Sequence, residues 1–131
     1  MTRSKILLSL LAVAALGAPA VAQAADTAAS PATRSCFRAA DVENFSAADD
    51  RTVYLRANRK QVYRLDMFGS CPDVDWAWRI GIKNRGSSWI CSAMDATLIT
   101  RSSAGVRQCA VSKLTLMTPE EVEALPKRSR P

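Results

Sequence analysis

Residues 52–68 read "TVYLRANRKQVYRLDMF". Two alternating stretches flank a short polar centre. In 52–57, Val53, Leu55 and Ala57 share one face, and Tyr54 and Arg56 take the other. In 61–68, Tyr63, Leu65 and Met67 point one way, and Arg64 and Asp66 the other. A period of two with one apolar face predicts half-buried strands. "NRK" at 58–60 is a short polar connection, and Asn58 suits a turn position. The pair therefore reads as a β-hairpin.

The pattern repeats downstream. "RIGIK" at 79–83 puts Ile80 and Ile82 on one face, "NRGSS" at 84–88 is a turn containing Gly, and "WIC" at 89–91 follows. This predicts a second hairpin. "ATLIT" at 96–100 and "VRQCAVSKLTL" at 106–116 are rich in β-branched residues, with "RSSAG" between them. This predicts a third. Thr118-Pro119-Glu120-Glu121 carries a cap, a proline at the first helical position and a glutamate three residues after the cap. It predicts a helix of about two turns with Val122 and Leu125 on one side, ended by Pro126. Residues 36–46, "CFRAADVENFS", fit strand and helix equally. The expected fold is mainly β: a small antiparallel sheet or open barrel with short helices, stapled by disulfides.

The first residues set the compartment. Arg3 and Lys5 precede an apolar run from Ile6 to Leu16, and Ala22-Gln23-Ala24 forms an A-x-A site. This predicts a secretory signal peptide over 1–24 with cleavage near Ala24. The run is shorter than the roughly 20 apolar residues that span a bilayer. No later stretch is long enough either, so no transmembrane segment is expected in the mature chain. Residues 25–35 are Ala/Ser/Thr/Pro-rich and read as a flexible lead-in, 36–126 as one β-rich domain, and 127–131, "KRSRP", as a frayed basic tail. The mature protein is expected in the periplasm or secreted.

Four cysteines remain after cleavage: Cys36, Cys71, Cys91 and Cys109. An even count in a small exported chain predicts two disulfides. Structural zinc sites usually show close ligand pairs. This chain has none, and it has no histidine. Of the three pairings, Cys36–Cys71 with Cys91–Cys109 closes the shorter loops and is expected on that ground.

Between the first two hairpins lies "FGSCPDVDWAWRIG" at 68–81. Ser70 and Asp73 have capping-box spacing, Pro72 suits an early helical position, and Asp73 and Asp75 suit a first turn. The stretch predicts a short corner helix with one tryptophan in the core and the other at its rim. The functional alternative is an aromatic platform for a sugar or flat ligand, formed by Trp76 and Trp78 beside Arg79. Asp73 and Asp75 are two apart and do not face each other on a helix, so they make a poor catalytic pair. They also lack the further oxygen ligands that calcium needs.

The lack of histidine excludes Ser-His and Cys-His nucleophile activation. No phosphate-binding glycine loop is present. No catalytic residue, metal ligand or cofactor is assigned, and a non-enzymatic role is expected. The formal charge of +6 belongs largely to the ends. Arg3 and Lys5 leave with the leader, and Lys127, Arg128 and Arg130 lie in the tail. Inside the domain, residues 79–113 hold six basic residues against Asp95 alone. Such a block attracts anions when it shares a face. No basic run is interleaved with aromatics as single-strand binders require, so no nucleic-acid partner is expected. The favoured role is a binding or accessory module of the cell envelope, with an envelope protein or small ligand as partner. One rival is an inhibitor or interaction protein using "NRGSS" or "RSSAG" as a protruding loop. The other is an unfamiliar enzyme with Asp66 or Asp95 in a cleft.

Several of these segments also carry a family likeness. "CFRAADVENFSAADDRTVYLR", "VYRLDMFGSCP" and "ICSAMD" resemble a family of small exported uncharacterised proteins of Gram-negative bacteria, a domain of unknown function. The resemblance covers about 36–118. Its pattern falls on Cys36, Asp49 to Thr52, Tyr63 to Leu65, Gly69 to Cys71 and Ile90 to Ser92. It implies a periplasmic, disulfide-bearing module and brings no activity or catalytic residue.

Overall fold

The computed structural model describes residues 36–131. The expected signal peptide and lead-in lie outside the described residues. In chain order the strands are β1 (Phe37–Arg38), β2 (Val42–Ala47), β3 (Thr52–Ala57), β4 (Gln61–Met67), β5 (Ile80–Asn84), β6 (Trp89–Ile90), β7 (Ala96–Ser102) and β8 (Gly105–Leu116), followed by helix α1 (Pro119–Ala124). Single 3-10 turns lie at Ala39–Asp41, Ala93–Asp95 and Lys127–Ser129. The ambiguous segment 36–46 is thus strand, turn and strand.

Six strands form one antiparallel sheet in the order β2-β3-β4-β8-β7-β5, curled into a half-barrel. The fold is mainly β, as the alternation predicts. The β3–β4 hairpin forms with Ala57 opposite Gln61. Asn58 and Arg59 both adopt positive φ in its turn, and asparagine tolerates that region better than most residues. The β7–β8 hairpin closes with Ser102 opposite Gly105, and Gly105 supplies a φ of 109°.

The inner face carries the core. Val53, Leu55, Ala57, Tyr63, Leu65 and Met67 are buried, as the opening stretch predicts. Leu98 and Val111 extend the core across the sheet. The hollow is closed by a small second sheet, in which β1 pairs with β6 and Phe37 faces Ile90 across the ladder. Both side chains are fully buried. This corrects the expected second hairpin. β5 pairs with β7 instead of β6, and "NRGSS" leads from the edge of the half-barrel to its lid.

The lid explains the disulfides. The β1–β6 register sets Cys36 beside Cys91, and these two are bonded across a Cα separation of 4.3 Å. Cys71 bonds Cys109 at 5.7 Å. The pairing expected from loop length is therefore wrong. Strand pairing across the sequence brings the partners together, and that outweighs the small entropic gain from shorter loops.

The corner helix does not form either. Asp73 has a φ of 64°, and helical backbone requires negative φ. The segment is a run of turns, with the Val74 N–H donating to the Cys71 carbonyl and the Trp76 N–H to the Asp73 carbonyl. Ser70 does not cap: its hydroxyl donates to the Asp50 carboxylate. The Cys71 N–H donates to the Asp50 carbonyl at 2.7 Å. Asp49 Oδ1 accepts from the backbone N–H of Arg51 and Thr52. The D-D-R-T and G-x-C motifs thus meet, and their job is to fix this corner. Val74 and Cys71 are the residues it buries.

The capping box at Thr118 forms as predicted. Thr118 Oγ1 accepts from the Glu121 N–H, and Glu121 Oε2 accepts from the Thr118 N–H. The terminal residues are not frayed. Ser46 Oγ donates to the Ser129 carbonyl at 2.6 Å, and Arg56 Nη2 donates to the Pro131 carbonyl. Arg130 Nε donates back to the Leu125 carbonyl at 2.9 Å. These bonds lay the end of the chain over β2 and β3, and Ser129 is buried there.

Candidate functional site

The faces of β3, β4 and β8 opposite the core line a concavity. Residues on the face of these strands away from Leu55 and Leu65 stand in rows set by register, with Tyr54 itself buried. Tyr54 is opposite Arg64, and Arg64 is opposite Thr115. Asp66 is opposite Lys113. A bulge between Asp66 and Met67 makes Ser112 the extra residue of β8, and Ser112 Oγ donates to the Asp66 carbonyl at 2.9 Å. The bulge keeps Lys113 on the outer face while Val111 stays in the core.

Helix α1 supplies the opposite wall. Glu121, Ala124 and Leu125 join Met117 and the five sheet residues around an open cleft of about 440 Å³. Small-ligand sites commonly fall in this size range. The cleft mixes charge with apolar surface. Arg64 holds Asp66 through Nε at 2.9 Å and Nη2 at 2.8 Å. The hydrogen bond that Arg64 donates to Asp66 raises the Arg64 pKa above its ordinary value. Lys113 makes no ion pair among the described residues. Its ammonium is therefore the uncommitted charge of the cleft.

The acids named from the sequence behave differently from one another. Asp66 lines the cleft but is engaged by Arg64. Asp95 lies on the Ala93–Asp95 turn, where its carboxylate accepts from the Ser92 hydroxyl and the N–H groups of Ser92 and Cys91. The Ser92 hydroxyl, followed by those backbone donors, lowers the Asp95 pKa. Asp95 caps a turn and stays ionised. Among the described residues, no group of three or more His, Cys, Asp or Glu could hold a metal ion. No helix among them is long and apolar enough to cross a membrane.

The expectation that one tryptophan of the corner packs into the core is not met. Trp76 is 79% exposed and Trp78 96%, so neither enters the core. They project from the turns before β5, with Arg79 next in the chain, and do not wall the cleft. Trp89 is also exposed, with the Arg38 guanidinium 5.6 Å from its ring centre.

The family comparison adds to this geometry. The model of a family described as "Family of unknown function (DUF6491)" matches residues 2–131. The chain belongs to that family. No curated protein and no solved structure matches it. In this DUF6491 member the cleft residues Tyr54, Arg64, Lys113, Thr115 and Glu121 were not legible as a site. Alternation marks Tyr54 and Arg64 only as the polar face of a strand. What turns that face into a cleft is the placement of α1, which no local pattern encodes.

Proposed function

We propose that this chain is an exported, periplasmic accessory module of the cell envelope, of the kind found in Gram-negative bacteria. It binds a small ligand with an anionic group in the cleft between the sheet and α1, and it is not an enzyme. The observation that carries the binding reading is the cleft itself. The uncommitted Lys113 ammonium and the Arg64 guanidinium share it with the apolar side chains of Met117 and Leu125. An anion with an apolar body matches that combination. The non-enzymatic reading is supported by the state of the cleft's carboxylates. Asp66 is tied to Arg64, and Glu121 accepts from the Thr118 N–H. Neither is placed for free proton transfer. Export is supported by the leader-like start of the sequence and by two disulfides, which persist in oxidising compartments.

Titration with anilinonaphthalene sulfonate, an aromatic sulfonate, tests the binding reading. Lys113→Ala is expected to weaken binding about tenfold, equivalent to about 1.4 kcal/mol. Lys83→Gln, outside the cleft, is expected to leave it unchanged. Equal affinity in the wild type and Lys113→Ala would overturn the assignment of the cleft.

A further inference from the structure

We propose that the outer face of the β5–β7–β8 half of the sheet docks the protein peripherally on an anionic phospholipid bilayer. This goes beyond the ligand reading and rests on different side chains. Strand register defines the face. Lys83 is opposite Thr97, and Thr97 is opposite Ala110; Gly81 is opposite Ile99, and Ile99 is opposite Gln108; Arg101 is opposite Val106. Gly81, Lys83, Arg101, Val106, Gln108 and Ala110 are all exposed. Arg79 and Arg85 flank β5, one residue beyond each of its ends.

The face carries cations without partners. Arg79, Lys83, Arg85 and Arg101 form no ion pair among the described residues. These three strands from Arg79 to Ala110 contain no acid, and Asp95, on the turn before β7, is consumed in capping. Asp73 and Asp75 lie earlier, on the turns that lead to the tryptophans. The complementary surface is therefore anionic.

Apolar groups stand around the rim. Trp78 directly precedes Arg79. Phe68 is 76% exposed and Met94 77%, and both border a cavity of about 150 Å³ together with Arg85. All three tryptophans of the chain are exposed while the core is built without them. Separate aromatic and thioether side chains around a cationic surface suit the interfacial zone of a bilayer, where tryptophan is favoured and acidic headgroups attract Lys and Arg. A protein partner would call for a contiguous apolar centre. The cavity here is too small for one, and the apolar groups are dispersed, so the bilayer is the better occupant.

Flotation of the intact protein with vesicles tests the proposal. With vesicles of about one-third phosphatidylglycerol in phosphatidylcholine, the protein is expected to partition at least about tenfold more than with phosphatidylcholine alone, and less as salt is raised. Lys83→Gln/Arg85→Gln and Trp78→Ala are each expected to reduce partitioning. All of these residues are exposed, so melting and dye binding at the cleft should hold. Absence of flotation with the anionic vesicles at low salt would overturn the proposal, as would equal flotation with neutral vesicles. Variants that float like the wild type would also overturn it. So would stoichiometric capture by an envelope protein without vesicle binding.

Discussion

Replacing Cys71 with Ser is expected to lower the melting temperature by on the order of 20 °C. The Cys71–Cys109 bridge closes a loop with a sequence separation of 38. On the chain-entropy account, opening a loop of that size costs roughly 4 kcal/mol. A domain this small has little stability in reserve, because it buries a smaller share of its surface than a large one. A further cost falls on this cysteine in particular. Cys71 is fully buried, so a serine there would hide a hydroxyl in an apolar setting. Thermal melts by circular dichroism, with Cys71→Ala as the variant that omits the hydroxyl, separate the cross-link from the polar burial. Unchanged melting in Cys71→Ala would mean that the bridge does not staple the native state.

Phe37→Ala is expected to destabilise the domain by about 3–5 kcal/mol. Phe37 is the apolar residue that β1 sends into the half-barrel, and its ring centre lies 4.6 Å from that of Tyr63. Both are fully buried, and Tyr63 stands on β4 near the middle of the sheet. A two-stranded lid has almost no stability of its own. It stays in place through this contact, through Ile90 and through the Cys36–Cys91 bond. Truncation leaves a cavity in the centre of the molecule, with no long element able to collapse into it. Chemical denaturation compared with Trp78→Ala makes the test specific. The exposed tryptophan is expected to change stability by less than about 0.5 kcal/mol. A Phe37→Ala loss as small as that of Trp78→Ala would show that β1 does not close the core.

These expectations depend on parts of the fold that differ in how well local sequence encodes them. The β3–β4 and β7–β8 hairpins were readable because strand, turn and strand are contiguous, so alternation and turn chemistry suffice. The Thr118 cap was readable for the same reason. The lid was not. Trp89–Ile90 looks like the return strand of β5, yet its partner Phe37–Arg38 lies about fifty residues away. The choice is made by burial of Phe37 and Ile90 rather than by any turn. The same distant pairing decides the disulfides, so loop length misled. The corner failed differently. Ser70, Pro72 and Asp73 have the spacing of a helix start, but the Ser70 hydroxyl and the Cys71 N–H are both drawn to Asp50, and Asp73 turns the chain at positive φ. The cleft was half visible. Alternation sets Arg64 and Asp66 on one face, and only Asp66 is a candidate cleft residue from the sequence, while the basic excess of 79–113 carries no register to line up Lys83, Arg101 and their neighbours.

We propose that the chain is exported as a form held by its two bridges, Cys36–Cys91 and Cys71–Cys109. This is tested most directly by the intact mass and non-reducing peptide map of the protein recovered from the periplasm. The predicted result is a chain beginning at Ala25 that gains about four mass units on reduction, with Cys36 linked to Cys91 and Cys71 to Cys109. A chain that retains its first 24 residues, or one with free thiols at these positions, would contradict it.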